Sequence, residues 1–535
     1  MTPSSDASPR SIPAFLAAVT LLLGVLLSAP SAASAQASER APAPVTVLMV
    51  IDQLRADLLD RYDEVFTAGL RRLRDDGYRF TQATHDHAIT LTAPGHATLS
   101  TGTHPSRHGV VANVWIENGV VIENIVDETR SALDAPRSSG TRLDPLTRST
   151  VGEWLQDVHP EARVLSVSGK DRAAALMAGR SDASVLWFDG AAGRFVTSDT
   201  WADAYPEWVD DFHDDDFPEL LETRTWDLIV PPRHRGLARE DEAAFEADGV
   251  NTTFPHEFDR EYWGGDVAAW LATTPYLDRA TRLIAQAGIE GEGIGTDDIP
   301  DLVMISLSQT DRVGHAYGPR SLEQLDNLVR LDAELGEFMD WMDGRFGSDG
   351  WRMVLTADHG VADAPEQATE EGSPGHRVTM MEAVEFEGRL SEVATEYGVG
   401  RAGLADTLAL VAPEIAWIEQ AWTLTDLLAG GPAQDSFTVL QARSSHPGRQ
   451  TGVLGAQGVE MRLTEGTLLW TVPRGTTHGS PYMYDRHVPL VVLGGGIPTG
   501  LNDEPVATVD VAPMLAVLLG IEAPDDLDGV PRPIG

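Results

Sequence analysis

The chain has 535 residues, no cysteine and a formal net charge of −43 at pH 7. This acidity disfavours binding to nucleic acid or to anionic membranes, and the absence of cysteine excludes disulfides, thiolate metal ligands and a lipid-modified N-terminal cysteine. An anionic substrate would be repelled by the protein as a whole, so a site that binds one needs local cations.

The chain starts with the pattern of a secretory signal peptide over residues 1–35. Arg10 gives a weakly positive start, an uncharged apolar run covers residues 14–27, and Ala-Ser-Ala at 33–35 is typical of a cleavage site. The run is shorter than the roughly 20 apolar residues of a membrane span, so an uncleaved anchor is the less favoured alternative. We therefore expect export to the periplasm or the extracellular space, with cleavage near Ala35 and no stable membrane anchor afterwards.

Apolar runs of strand length recur along the rest of the chain. They are VTVLMVID (45–52), RVLSVSGKD (163–171), DLVMISLSQTD (301–311), WRMVLTADHG (351–360) and VPLVVLGGG (488–496). Helical patterns lie between them, such as the leucines at helical spacing after Leu322 and the short apolar stretch that ends at Gly520. Buried strands that alternate with helices predict an α/β sandwich with a central, mostly parallel sheet flanked by helices.

Two long stretches lack this alternation. They are residues 114–300, apart from the strand before Lys170, and residues 364–472. We interpret them as cap elements that roof the site and are inserted into one catalytic domain, residues 45–535. The expected insertions cover about 114–160, 175–300 and 364–472.

Carboxylates and imidazoles follow several of the predicted strands or lie in a glycine-rich loop. They are Asp52, Asp311 and His315 (SQTDRVGHAYGP), Asp358 and His359 (TADHG), and His478 (GTTHGS). Catalytic groups in parallel sheets lie beyond the carboxyl ends of the strands, so these side chains are candidates for one site. Taken singly, each is more often a turn or structural residue. Together, oxygen and nitrogen donors without sulfur suit Zn²⁺ and do not exclude Mn²⁺ or iron.

Thr92, in ITLTAPGHATLSTGTHPSRHG, is the candidate nucleophile. It precedes Pro94 and a helix-like run, and the free N–H groups at a helix start favour an anion. A threonine hydroxyl needs activation, and because no catalytic triad is visible around it, metal coordination is the natural activator. The alternative is a threonine that only caps the helix.

Lys170 is the only lysine among the 39 lysines and arginines of the chain, and it lies two residues before Arg172. An ammonium is a compact point charge, whereas a guanidinium is a planar fork, so arginine cannot replace lysine everywhere. A role in an anion-binding site is one interpretation of this position, and an ordinary exposed lysine is the alternative.

Several segments resemble the alkaline phosphatase superfamily, on the side of the nucleotide pyrophosphatase/phosphodiesterases and the phosphate-irrepressible alkaline phosphatases. They are VIDQLRAD, TLTAPGHATLSTGTHPSRHGVVANVW, SGKDRAA, SQTDRVGHAYGP, TADHGV, THGSPYMYDRHVPL and TVDVAPMLAVLLGI. The segments occur in order from about residue 45 to the C-terminus, whereas the insertions match loosely.

The resemblance implies two zinc ions and a role for each residue. Asp311, His315 and His478 resemble the ligands of one ion, and Asp52, Asp358 and His359 those of the second, with Thr92 as its fourth ligand and the nucleophile. Asn113 matches the amide that donates to a phosphoryl oxygen. Lys170 and Arg172 match the K-x-R motif of the monoester-hydrolysing branch.

The implied activity is that of a secreted alkaline phosphatase, which acts on small phosphate monoesters through a phosphothreonine on Thr92. Two cations favour a monoester because it carries an anionic oxygen that a diester replaces with an ester group. The main alternative is a phosphodiesterase or nucleotide pyrophosphatase on the same scaffold. A metal-stabilised binding protein without catalysis, a sulfatase and a phosphoglycerate-mutase-like enzyme are less favoured.

Overall fold

The computed structural model describes residues 45–246, 252–396, 401–430, 435–469 and 472–535, which belong to one folded unit. The expected signal peptide, residues 1–35, lies outside the described residues. Within the described residues, every helix is too short or too polar to cross a membrane.

Nine strands of the described chain form a central sheet. In chain order they are β1 (Val45–Ile51), β2 (Tyr78–Phe80), β3 (Val164–Ser168), β4 (Ala183–Asp189), β5 (Arg194–Val196), β6 (Asp301–Leu307), β7 (Trp351–Thr356), β8 (Leu490–Gly494) and β9 (Gly500–Asn502). Their order across the sheet is β5-β4-β3-β6-β1-β7-β8-β2-β9. The five neighbouring strands β4, β3, β6, β1 and β7 are mutually parallel. Strands β5 and β8 run antiparallel to their neighbours. The predicted mostly parallel sheet is confirmed.

Helices cover both faces of this sheet. The α-helices are α1 (Ala56–Arg61), α2 (Gly69–Asp76), α3 (Thr92–Thr101), α4 (Pro105–His108), α5 (Val151–Val158), α6 (Asp171–Ala178), α7 (Glu207–Asp211), α8 (Phe217–Leu220), α9 (Val267–Leu271), α10 (Tyr276–Gly291), α11 (Gln309–Tyr317), α12 (Leu322–Phe346), α13 (Pro365–Glu370), α14 (Met380–Glu396), α15 (Arg401–Val411), α16 (Leu424–Leu428), α17 (Ser436–Ser444), α18 (Met483–Arg486) and α19 (Val511–Leu519).

Strand β1 is buried on both faces of the sheet. Val47 and Met49 pack into a core shared with α2, α10 and α12, whereas Leu48 and Val50 pack into a second core shared with α5, α6 and α19. Successive side chains of a strand point to opposite faces, so a strand buried on both faces reads as a continuous apolar run. This is why the central strands are visible in the sequence.

The remaining strands are short and lie outside the central sheet. They pair as Ala83–Thr84 with Val506–Ala507, Val126–Ala132 with Ala135–Thr141, Thr225–Trp226 with His256–Glu257, His376–Arg377 with Thr467–Leu468, Ile418–Thr423 with Val459–Leu463, and Val114–Glu117 with both Val120–Glu123 and Arg449–Gln450. The segment predicted as an insertion at 364–472 has its own small core, which includes Phe386, Leu408, Trp417 and Leu454. Within the segment predicted at 175–300, β4 and β5 join the central sheet.

Candidate active site

The candidate residues meet at the carboxyl ends of the parallel strands. Asp52 directly follows β1, Lys170 lies between β3 and α6, and Asp311 is in the first turn of α11 after β6. Asp358 and His359 follow β7. Parallel neighbours end at the same edge of a sheet, so residues up to 307 positions apart in sequence become neighbours in space.

Asp52, Asp358 and His359 form the first group, which we call the inner group. All three are fully buried, and their potential ligand atoms lie within 4.8 Å of one another. His359 Nε2 is 3.6 Å from Asp52 Oδ1 and 3.3 Å from Asp358 Oδ2. Within the described part of the chain, these two oxygens, Asp52 Oδ1 and Asp358 Oδ2, accept no hydrogen bond. A buried carboxylate oxygen without a donor is costly, and a bound cation would remove that cost.

Asp311, His315 and His478 form the second group, which we call the outer group. Their potential ligand atoms also lie within 4.8 Å of one another. Asp311 Oδ1 is 3.2 Å from His315 Nε2 and 3.6 Å from His478 Nε2. The ring of His478 stacks on that of His359 with centroids 3.6 Å apart, which brings the two groups side by side.

The three histidines of the two groups make the same kind of hydrogen bond to the backbone. Nδ1 of His315, His359 and His478 lies 2.8, 2.9 and 2.7 Å from the backbone carbonyls of Thr476, Gly360 and Thr90. A carbonyl can only accept, so each Nδ1 carries the proton and each Nε2 presents its lone pair to its group. The donor set of each group therefore fits a zinc ion.

Lys170 lies between the two groups. Its Nζ donates to Asp52 Oδ2 and to Asp311 Oδ2, each at 2.6 Å, and its side chain is 4% exposed. It thus contacts one carboxylate of each group, where the resemblance implied a contact with a phosphoryl oxygen. Three buried carboxylates, of Asp52, Asp311 and Asp358, surround this single ammonium.

The two carboxylates that share Lys170 differ in acidity. Burial, together with the charge of Asp358, raises the pKa of Asp52 well above its usual value, although Lys170 opposes this. Burial also acts to raise the pKa of Asp311, but Lys170 and His315 overcome it and hold the pKa well below the usual value. Burial and the neighbouring imidazoles lower the pKa of His478 well below its ordinary value. Neutral imidazole and ionised carboxylate are the forms that bind metal.

Thr92 is the first residue of α3, and Leu91 occupies the capping position. The alternative that Thr92 only caps the helix is therefore wrong. Its buried hydroxyl Oγ1 lies 3.4 Å from His359 Nε2, next to the inner group. The nearby Ala93 N–H donates to Asn113 Oδ1 at 2.9 Å, which fixes the amide and leaves its NH₂ group as a donor.

Arg172 lies in the first turn of α6, and its side chain is 27% exposed. Its Nη1 lies 3.6 Å from Asp171 Oδ1, and its buried Nε has no hydrogen-bond partner among the described residues. Arg172 and Lys170 line one polar cavity of about 330 Å³. The structure thus places the arginine beside the site rather than on either carboxylate group.

Three residues of the site were not predicted. Gln53 donates from its backbone N–H to Asp358 Oδ1 at 3.0 Å and from its side chain to Asp311 Oδ1 at 2.7 Å, with a left-handed φ of 69°. His96 Nδ1 donates to the Thr92 carbonyl at 2.9 Å and lies 3.3 Å from Asp358 Oδ2. Arg312 follows Asp311 and lines the cavity of Lys170 and Arg172. Adjacency to Asp52 and Asp311 was the available signal for Gln53 and Arg312.

A mostly parallel α/β sheet, with two carboxylate–imidazole groups beside a hydroxyl at a helix start, defines an enzyme of the alkaline phosphatase superfamily. Residues 46–403 match the model of the family described as type I phosphodiesterase / nucleotide pyrophosphatase, and the chain belongs to this family.

The relatives extend the likeness to nearly the full length. The chain is 29% identical to alkaline phosphatase PafA of Elizabethkingia meningoseptica, over 95% of this chain and 97% of the relative. It is 27% identical to alkaline phosphatase PhoV of Synechococcus elongatus, over 90% of each. A crystal structure of PafA superposes with a TM-score of 0.84 at 26% identity, covering 93% of this chain and all of that one.

Proposed function

We propose that the protein is an exported phosphomonoesterase that holds two zinc ions and transfers a phosphoryl group from small phosphate monoesters to Thr92. The observation that carries the proposal is the hydrogen bond of Nδ1 to a backbone carbonyl in His315, His359 and His478, which leaves each Nε2 beside a carboxylate. Bound zinc would supply Lewis acidity and a lowered pKa for a coordinated hydroxyl. Nucleic acid is not an expected partner of so acidic a chain.

Each residue of the site has a role in phosphoryl transfer that follows from its position. Thr92 Oγ1 attacks phosphorus as the bond to the leaving oxygen breaks, and hydrolysis of the phosphothreonine then releases phosphate and restores the hydroxyl. The backbone N–H of Thr92 at the start of α3 and the NH₂ of Asn113 can donate to the phosphoryl oxygens where charge develops. Thr92 lies at the inner group, so in-line displacement directs the leaving oxygen towards the outer group.

Lys170 and Arg172 support the choice of a monoester. Both line the cavity beside the two groups, and a monoester dianion offers them an oxygen that a diester masks. A hydrogen bond to a charged group contributes about 1.5–3 kcal/mol, so two cations can separate mono- from diesters by a few orders of magnitude. The name of the matching family favours a second candidate, a phosphodiesterase, on the same scaffold.

A paired assay separates the two candidates. We expect zinc-loaded protein to hydrolyse 4-nitrophenyl phosphate faster than methyl 4-nitrophenyl phosphate, which has the same leaving group. A diester preference of tenfold or more would favour the phosphodiesterase. Thr92→Ala should abolish turnover while metal analysis still finds two ions per chain, and an unchanged rate would exclude Thr92 as the nucleophile.

A further inference from the structure

An apolar cavity of about 310 Å³ adjoins the candidate site. One wall contains Leu91, which precedes Thr92, and Ala112, which precedes Asn113. His478, from the outer group, lies in the same wall. The cavity is therefore continuous with the residues that surround the proposed phosphoryl position.

Other lining residues come from the segment with its own small core. They are Leu454, Met461 and Leu463, and Tyr482 also lines the cavity. Met461 and Leu463 are only half-buried, so apolar surface is available to a ligand. Val453, 48% exposed, lies at the rim. Burying such surface against an apolar group of a ligand is favourable.

We propose that this cavity binds the apolar part of the alcohol in the phosphate ester, so that aryl and longer alkyl phosphates are preferred. The inference rests on the proposed function. Thr92 Oγ1 lies 3.4 Å from His359 in the inner group, and in-line displacement places the leaving group on the opposite side. That side is the outer group, and its member His478 forms part of the cavity wall.

The two cavities of the site have complementary chemistry. The cavity with Lys170, Arg172 and Arg312 is polar, and its lining also includes four carboxylates, of Glu123, Glu128, Asp171 and Asp189. The cavity with Leu454 and Met461 is mostly apolar. A substrate that is polar at the phosphoryl end and apolar at the other end matches this arrangement.

The test compares phenyl phosphate with 4-butylphenyl phosphate, whose leaving groups have nearly the same acidity and differ in apolar length. We expect kcat/KM of the unmodified enzyme to be at least about tenfold higher for the butyl ester, mainly through a lower KM. The same order should hold for competitive inhibition by the two corresponding phosphonates, which are not hydrolysed.

Three variants complete the experiment. Met461→Gln, and independently Val453→Ser at the exposed rim, should lower the ratio of the two kcat/KM values severalfold. Leu408→Ala, which removes a buried side chain from the same small core but not from the cavity wall, should leave the ratio within twofold. Equal hydrolysis of both esters would overturn the cavity proposal alone. Failure to hydrolyse either ester would overturn the proposed function, and the cavity proposal with it.

Discussion

Replacing Lys170 by arginine is expected to lower kcat/KM for a phosphate monoester by about a hundredfold, although the charge is kept. The ammonium makes two hydrogen bonds of 2.6 Å, to Asp52 and to Asp311, in a site where it is 4% exposed. A guanidinium is larger than an ammonium and holds its donors in a rigid planar fork, so it does not reproduce the two bonds of one compact nitrogen in this buried space. Each charge-assisted bond contributes about 1.5–3 kcal/mol. A loss of about 3 kcal/mol corresponds to roughly a hundredfold in rate.

The assay measures hydrolysis of 4-nitrophenyl phosphate and the zinc content of the same samples. Lys170→Met removes the charge and should lose at least as much activity as Lys170→Arg. Arg172→Lys is the matched control: it also keeps the charge, and the loss should be smaller because Arg172 is 27% exposed and contacts neither carboxylate group. If Lys170→Arg stayed within threefold of the unmodified enzyme with full zinc content, the reasoning from shape would be refuted.

Three further predictions concern the metal sites and stability. Asp278 accepts hydrogen bonds from the backbone N–H groups of Ser308 and Gln309 at the start of α11, the helix of Asp311. Asp278→Ala should therefore weaken zinc binding about tenfold in a chelator-competition titration. An unchanged affinity would show that Asp278 does not position the outer group. Chelation should abolish hydrolysis and lower Tm, and added zinc should restore both. Thr92→Ala should show the same change in Tm although it has no activity. An unchanged Tm on chelation would mean that the ions do not stabilise the fold. Burial raises the pKa of Glu460 from 4.5 to about 7, so the folded state holds this proton more tightly than the unfolded chain. The free energy of unfolding should then fall by up to about 3 kcal/mol as pH rises from 4.5 to 7, and Glu460→Gln should flatten this slope in urea unfolding; an equally steep slope would contradict the assignment.

The central sheet was predictable because its strands are buried on both faces. The runs at 45–52, 301–311 and 351–360 each contain the strand that the structure shows, followed by the carboxylates of the site. The pattern of donors after strands also identified the members of both groups, because the topology brings the strand ends together. Short strands such as β5 carry no comparable signal, since three residues are too few to show a period.

The contacts that orient the site could not be predicted from the sequence. Lys170 reaches carboxylates 118 and 141 residues away, and His478 is oriented by a carbonyl 388 residues away. Such partners depend on how loops that are distant in sequence pack against one another. Gln53 is similar, because its left-handed backbone is not a local preference of glutamine and accompanies hydrogen bonds to Asp358 and Asp311.

Because Lys170 is buried and is the only lysine, its reaction with amine-specific labels can report how often the site opens. Apart from the α-amino group, the chain contains no other primary amine, and this one is 4% exposed between two carboxylates. Amine-reactive labels should therefore modify the side chain only when the centre of the site opens to solvent. The labelling rate at Lys170 would then measure how often the two metal-binding groups separate, without introducing any probe residue.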